Sequence, residues 1–377
     1  MGVVVGIDAS RIRSGGGIAH LLGILNAGDP FVHAINKVHV WSYKFLLDML
    51  PDTPWLIKHN PPELERTLIH QVWWQFRSLP KEARRKNCDV LFAVDAATVC
   101  GFRPSVVMSQ DMLPYEQGQM RHYGLSAARL RLILIRFIQT RAMKRANGVI
   151  FLTNYATRII QGATGKLSCV SIIPHGVGEA FRQNKSARDW PEKESREIRC
   201  LYVSIATMYK HQWVVVKAVG DLRSRGHKVG LLLAGGGTGR AQRLTDEAIA
   251  EADPPGEFIE TIDFVPHDEI PGLLTKADIF IFASSCENMP ITLLEAMAAG
   301  LPIACSDRGP MREILEDGGV YFDPESSASI SAAIEKIISN RELRISIARR
   351  AKELSEQYSW ARCANETWEF LRASVCK

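Results

Sequence analysis

Ala277-Asp278-Ile279-Phe280-Ile281-Phe282-Ala283-Ser284-Ser285-Cys286-Glu287-Asn288-Met289-Pro290-Ile291-Thr292-Leu293-Leu294-Glu295-Ala296-Met297-Ala298-Ala299-Gly300 is the stretch on which the fold turns. Its first six residues read as a strand buried on both faces. Pro290 suits the first position of a helix and Gly300 its end, so the unit is strand, short loop, helix. Glu287 then falls in the loop and Glu295 on the helix, with seven residues between them. A helix start offers unpaired N–H groups and a positive dipole end, which suits a phosphate. A carboxylate on each side of that phosphate can accept hydrogen bonds from sugar hydroxyls without touching it. That is the chemistry a nucleotide sugar needs. Two glutamates at this spacing also arise by chance; the apolar strand before them, and a second strand expected at 301–305, give the pair its context.

The remainder of the chain extends the pattern. Its 377 residues favour two domains over one. Apolar segments at 3–7, 90–94, 105–108, 148–152 and 170–174 look like buried parallel strands, with helical patterns between them; the longest helical pattern covers 125–145. After a polar, charge-rich stretch the alternation restarts, with strands at 200–204, 229–234 and 259–265. The expected organisation is a first doubly wound α/β domain over 1–177, a linker over 178–199, a second such domain over 200–357 and a C-terminal helix in 358–377 that packs back on the first domain. Two α/β halves of similar length place a cleft between them, where ligands bind.

Composition narrows the class. Hydrophobic content of 46% is that of an ordinary globular protein. No apolar run reaches the ~20 residues that span a bilayer, and the N-terminal residues read as a first strand rather than a signal peptide. Eight scattered cysteines without a Cys-x-x-Cys pair argue against a zinc site or a disulfide scaffold and for a reducing cytoplasm. Net charge is +5, unevenly placed. Between Gln117 and Gly178 there is no Asp or Glu, while Arg121, Arg129, Arg131, Arg136, Arg141, Lys144, Arg145, Arg158 and Lys166 all fall there. A solvated charged face over an apolar core is one explanation; ordinary surfaces, however, mix signs. Nucleic acid is the weaker alternative, since no nucleic-acid module accompanies the charge. The expected partner of the segment from Arg121 to Arg145 is an anionic membrane surface.

Taken together, the sequence resembles the GT-B glycosyltransferases, specifically glycosyltransferase family 4, over nearly its whole length. The resemblance rests on Gly15-Gly16-Gly17 after the first strand, Ile173-Pro174-His175-Gly176-Val177, Tyr209-Lys210-His211-Gln212, Leu233-Ala234-Gly235-Gly236, Phe264-Val265-Pro266-His267-Asp268-Glu269-Ile270 and the Glu287–Glu295 pair. Met108-Ser109-Gln110-Asp111-Met112-Leu113-Pro114-Tyr115-Glu116 looks most like a bacterial branch that builds O-antigen or capsular polysaccharide, several of whose members are mannosyltransferases. The resemblance implies two Rossmann-like domains facing a central cleft, and retaining transfer of a hexosyl group, mannosyl from GDP-mannose, to a lipid-linked or polysaccharide acceptor. It implies that Glu295 holds the ribose hydroxyls, that Glu287 faces the transferred sugar and that Lys210 lies against the diphosphate. Asn288, Met289, Pro290, Ile291 and Thr292 would border the phosphates or sugar, and Val265 the base. Gly16 and Gly17 would let the first-domain loop approach the donor, with Gln110 and Asp111 on the acceptor side. His175 and His267 are expected to be loop histidines bonding to backbone.

Three positions depart from the family pattern. Asn288 and Pro290 stand where many relatives have glycines, and Pro290 removes one backbone donor. Gln110 replaces a histidine, so that side chain can bond a hydroxyl but not transfer a proton. Ser204 replaces the arginine found about six residues before the lysine. A front-face path, in which the departing phosphate accepts the acceptor's proton, needs no protein base and accommodates Gln110. The chain lacks Asp-x-Asp, so no metal and no cofactor are expected; the nucleotide sugar is a substrate. The expected location is cytoplasmic, peripheral at the inner face of the plasma membrane. A UDP-sugar-dependent transferase of the same fold, and a non-catalytic nucleotide-sugar-binding partner subunit, remain alternatives at this level.

Overall fold

Strands of three to seven residues, most of them rich in Val, Ile, Leu and Phe and set between helical segments, form two separate parallel sheets in the computed structural model, which describes residues 2–13, 15–182, 190 and 196–375. The chain divides into one unit of residues 1–176 and 359–377 and a second of residues 177–358. Most of the expected linker, 183–189 and 191–195, lies outside the described residues.

The first unit holds β1 (Val3–Asp8), β2 (Ile35–Trp41), β3 (Leu56–His59), β4 (Val90–Ala93), β5 (Ser105–Met108), β6 (Gly148–Phe151) and β7 (Val170–Ile172). They pair in the order β3-β2-β1-β4-β5-β6-β7, all parallel. Its helices are α1 (Gly16–Ala27), α2 (Lys44–Met49), α3 (Leu68–Arg77), α4 (Leu79–Arg85), α5 (Ala127–Arg145) and α6 (Asn154–Thr164). Strands β2 and β3 are additions to the sequence expectation. β2 reads Ile-Asn-Lys-Val-His-Val-Trp, and its polar residues disguise a strand whose last four residues are buried.

The second unit holds α7 (Glu179–Arg182), β8 (Ile198–Val203), α8 (Gln212–Ser224), β9 (Val229–Ala234), α9 (Arg240–Ala252), β10 (Ile259–Ile262), α10 (Ile270–Lys276), β11 (Ile279–Phe282), α11 (Ile291–Ala298), β12 (Ile303–Ser306), α12 (Met311–Leu315), β13 (Val320–Phe322), α13 (Ser327–Ser339) and α14 (Arg341–Ser355). Its sheet order is β10-β9-β8-β11-β12-β13, again all parallel. Both sheets wind outward on one side of their first strand and then resume on the other. The switch points are therefore β1/β4 and β8/β11, and the crevice beyond the carboxyl ends of such strands is where this architecture binds ligands.

The last helix, α15 (Trp360–Ala373), belongs to the first unit and packs on α1. Trp368 is fully buried, and a Cβ at Gly28 would lie 2.6 Å from its Nε1, so only a glycine lets the indole seat there. The buried indole N–H finds no acceptor among the described residues. Trp368→Ala therefore loses about 3–5 kcal/mol of unfolding free energy from the first unit. Trp368→Phe, which also removes the unsatisfied N–H, loses much less. Urea unfolding followed by hydrogen exchange in α1 and β1 checks the order; equal losses would show that the ring's volume does not set the cost.

Candidate functional site

Each unit gathers its own part of the expected site. In the second unit, β8 ends at Val203 and the chain runs through Ser204 to Lys210 before α8 begins. On the other side of the switch point, β11 ends at Phe282 and the loop carrying Glu287 leads to α11. The two loops are stitched together. Ser285 N–H donates to Tyr209 O at 2.8 Å, and the His211 ring bonds Ser285 Oγ at 2.8 Å. His211 turns the chain with a φ of 50°. The Tyr202 hydroxyl donates to Lys210 O at 2.7 Å.

Lys210 Nζ then forms a hydrogen-bonded ion pair with Glu287 Oε1. The two side chains are 13% and 14% exposed, so both charges are largely withdrawn from water. Burial works against the lysine's charge, but Glu287 and the Tyr202 oxygen more than offset it and raise its pKa. Both the Tyr209 and Phe282 rings lie within 5.5 Å of the ammonium, adding cation–π attraction.

Helix α11 starts at Ile291, one residue later than the proline pattern suggests. Pro290 sits before it with φ −80° and ψ 109°. The missing N–H of Pro290 thus falls outside the helix. Leu294 is the first residue to bond back, to Pro290 O, which leaves the amides of Ile291, Thr292 and Leu293 without a backbone partner among the described residues at the helix start. Asn288, Met289 and Pro290 are buried beneath this turn, while Ile291 and Thr292 are half-buried.

Glu295 lies one turn further on, 2% exposed. Its Oε1 bonds His267 Nε2 at 2.6 Å, and its Oε2 has no partner among the described residues. Burial raises the Glu295 pKa; the bond to Glu295 raises that of His267. His267 is therefore not a backbone-bonding loop histidine, as the sequence suggested. It follows Val265, itself half-buried beyond the end of β10. The Ser204 position holds no charge. Ser204 is buried, and Gln212 Nε2 donates to its carbonyl at 2.7 Å and its hydroxyl at 3.1 Å. The neighbouring Gly235 needs its φ of +111° and would place a Cβ 2.5 Å from Ser204 O, which pins the loop after β9 to the end of β8. Thr207 was not singled out from sequence, yet its buried Oγ1 has no partner among the described residues.

In the first unit, Gly16 opens α1 and Gly17 follows it. A Cβ on Gly17 would lie 2.9 Å from Ile12 Cγ2 and 3.3 Å from Gln110 Oε1. Gln110 donates to Val94 O at 2.9 Å, which ties the end of β5 to that of β4. Asp111 Oδ1 accepts from Leu113 N–H at 2.9 Å, and burial, with Asp95 nearby, pushes its pKa up to about 6. So the first glycine loop, Gln110 and Asp111 do come together at the carboxyl end of this sheet. His175, in the loop after β7, is 3% exposed; its Nδ1 lies 3.1 Å from His20 Nδ1, and burial lowers its pKa to about 3.

Comparison with known proteins places this geometry in context. Residues 183–354, nearly the whole second unit, match the family model described as Glycosyl transferases group 1. The chain is 30% identical over 110 residues to the O-antigen chain mannosyltransferase B of Escherichia coli, covering 29% of each protein. It is 25% identical over 240 residues to a GDP-mannose-dependent alpha-(1-6)-phosphatidylinositol monomannoside mannosyltransferase of Mycobacterium tuberculosis, covering 59% of this chain and 61% of that one. The chain thus spans under two thirds of these curated relatives. Its structure superposes on that of WaaG, a glycosyltransferase involved in lipopolysaccharide biosynthesis, with a TM-score of 0.71 at 15% identity, covering 98% of this chain and 99% of the other. The fold is therefore GT-B, and its second unit carries the group 1 glycosyltransferase sequence pattern.

Proposed function

We propose that the protein is a retaining glycosyltransferase that moves a hexosyl group, mannosyl from GDP-mannose, to a lipid-linked or polysaccharide acceptor in cell-surface glycan synthesis. The observation that carries the reading is the Lys210–Glu287 pair beside the unpaired start of α11, at the switch point of the second sheet. Negative charge grows on the β-phosphate as the glycosidic bond breaks. A buried ammonium and three helix-start amides are already oriented to receive it, so little reorganisation is needed at that moment. Glu287 is the group that faces the transferred sugar, and Glu295 offers the free Oε2 to the ribose hydroxyls. On the acceptor side stand Gln110 and Asp111. No metal or other cofactor has a part in this scheme, and the protein works in the cytoplasm against the membrane. The basic segment of α5, from Arg129 to Arg145, together with Arg121, is assigned to an anionic membrane surface. Named relatives that are mannosyltransferases support the choice of sugar.

Lys210→Gln lowers the rate of GDP release from GDP-mannose by about 10²–10³ while the protein keeps its circular dichroism spectrum. A variant that turns over at the wild-type rate would take Lys210 out of the phosphate role. Chelation with EDTA leaves that rate unchanged.

Base choice is read from melting temperature. A nucleotide held by the native state raises stability by about 2.7 kcal/mol at a hundred times its Kd. GDP is expected to raise the melting temperature and UDP to leave it nearly unmoved; the reverse would move the reading to a UDP-sugar donor.

The His267–Glu295 pair adds a pH signature. His267 has its pKa raised by Glu295, so its stabilisation is full below the ordinary histidine value of 6.5 and is lost as pH rises through the raised value. On the acid side the pair weakens once Glu295, itself raised above 4.5, takes up a proton. The melting-temperature gap between wild type and His267→Gln is thus widest on the mildly acidic side and narrows toward alkaline pH. A gap that does not change with pH would reduce the contact to a neutral hydrogen bond.

A further inference from the structure

Helix α6 carries a glycine, Gly162, that its own packing does not require. It lies inside the helix, where glycine is less favourable than almost any other residue. A Cβ there would meet nothing within 4 Å, so no close neighbour excludes a side chain. Gly162 lines a cavity of about 500 Å³, within the size range of small-ligand sites. Arg121, Arg129, Arg136 and Arg158 line it too, brought together from the segment before α5, from α5 itself and from α6.

These guanidiniums are held in place but not neutralised. Arg136 lies 5.5 Å from the centre of the Tyr115 ring and Arg158 5.7 Å from that of Tyr155, while Arg129 Nη1 donates to Gly124 O at 3.3 Å. None of the four forms an ion pair among the described residues. Glu116, a carboxylate in the same wall, accepts the Tyr155 hydroxyl on both oxygens at 2.8 Å instead. Each guanidinium has five N–H donors, and ring faces and carbonyls leave most of them unspent. Arg129 and Arg136 are seven apart, so they share one side of α5, and both are half-buried there. Arg141 and Arg145 fall well round the helix from them and are exposed. The pocket is thus separate from the outward basic face.

Four guanidiniums exceed the single fork that a carboxylate engages. A phosphomonoester, with about two negative charges and three acceptor oxygens, matches them better. The Glu116 carboxylate would repel a bare phosphate pressed against it, yet it keeps lone pairs for the hydroxyls of a sugar. The pocket also adjoins the acceptor side. Asp111 opens the turn that leads into Tyr115, and burial first, then the Asp111 carboxylate, push the Tyr115 pKa up to about 12.

We infer that this pocket binds a phosphate-bearing saccharide, the part of the acceptor glycan next to the hydroxyl that Asp111 holds. The inference rests on the transferase reading above and deepens it by naming the chemical class of the acceptor. It takes Arg121, Arg129 and Arg136 out of the membrane-facing set and leaves Arg131, Arg141, Lys144 and Arg145 in it.

Mannose 6-phosphate is the probe. It is expected to raise the melting temperature of wild type, with half-saturation about tenfold below that of glycerol 3-phosphate or inorganic phosphate; mannose alone leaves it unmoved. Equal half-saturation for the three phosphates would reduce the pocket to an anion site open to a lipid headgroup and overturn the saccharide, and no rise at all would overturn the site. Arg136→Gln with Arg158→Gln raises the half-saturating concentration about a hundredfold. Gly162→Glu places a carboxylate among the guanidiniums at a position with open space, and abolishes the rise. A wild-type rise in the arginine double variant, or in a folded Gly162→Glu, would overturn the pocket. In wild type that releases GDP from GDP-mannose, mannose 6-phosphate speeds the release; binding without acceleration would overturn the acceptor role. Basal GDP release keeps the two readings apart. Its presence without mannose 6-phosphate binding sinks only this inference, and its absence with binding sinks only the transferase.

Discussion

The Lys210–Glu287 ion pair is the interaction around which the second unit is organised. Withdrawing two charges from water costs several kcal/mol each, and their attraction offsets this only with good geometry and further polar partners. The surrounding contacts supply that geometry. Tyr202 holds the lysine's carbonyl, Ser285 and His211 tie the two loops, and two aromatic rings flank the ammonium. The sheet makes all of this local: β8 and β11 are neighbours although 75 or more residues apart in the chain, since Ile279 pairs with Cys200. A purely structural role would be served as well by apolar side chains. Under the proposed function, the pair is a cation held beside a helix start, balanced by a carboxylate until an anion arrives.

The same logic divides the two glutamates. Glu287 is committed to a cation, whereas Glu295 is committed to His267 through one oxygen and leaves the other without a partner. A buried acceptor left unpaired is costly, of the order of 1–3 kcal/mol. Under the proposed function, that cost at Glu295, and again at the Thr207 hydroxyl, would be recovered when a polyhydroxylated ligand supplies hydrogen-bond partners.

Much of this was legible in the sequence, and the limits have physical causes. Strands β4, β5, β6, β9 and β11 are fully or almost fully buried, so they read as continuous apolar runs. β2 was not readable because Lys37 points outward and His39 is buried by ring stacking with Trp41 and His59 rather than by its own hydrophobicity. β13 has only three residues, two of them half-buried. The placement of Glu287 in a loop and Glu295 on a helix was readable because a strand, loop and helix fix their spacing locally. His267 could not be paired with Glu295 from sequence, since they lie 28 positions apart with a strand between them and only the sheet order brings them together. For α5, periodicity revealed a helix with an apolar stripe but not which way the stripe faces.

Gln110 and Asp111 differ in what they can do with a proton. The Gln110 amide is spent on Val94 O, which turns its Oε1 toward Gly17, and neither atom can take up a proton at ordinary pH. Asp111 can, because burial and its neighbour Asp95 have carried its pKa to about 6. One of its oxygens is already held by the Leu113 amide. A carboxyl group balanced this close to neutrality can hold an acceptor hydroxyl as either donor or acceptor. If the transfer follows the front-face path expected for a retaining enzyme, Asp111 is not obliged to remove the proton, since the departing phosphate would do so. Under the proposed function, the replacement of histidine by Gln110 removes no step from the reaction: the first unit would orient the acceptor, and the second would supply the charge that drives bond cleavage.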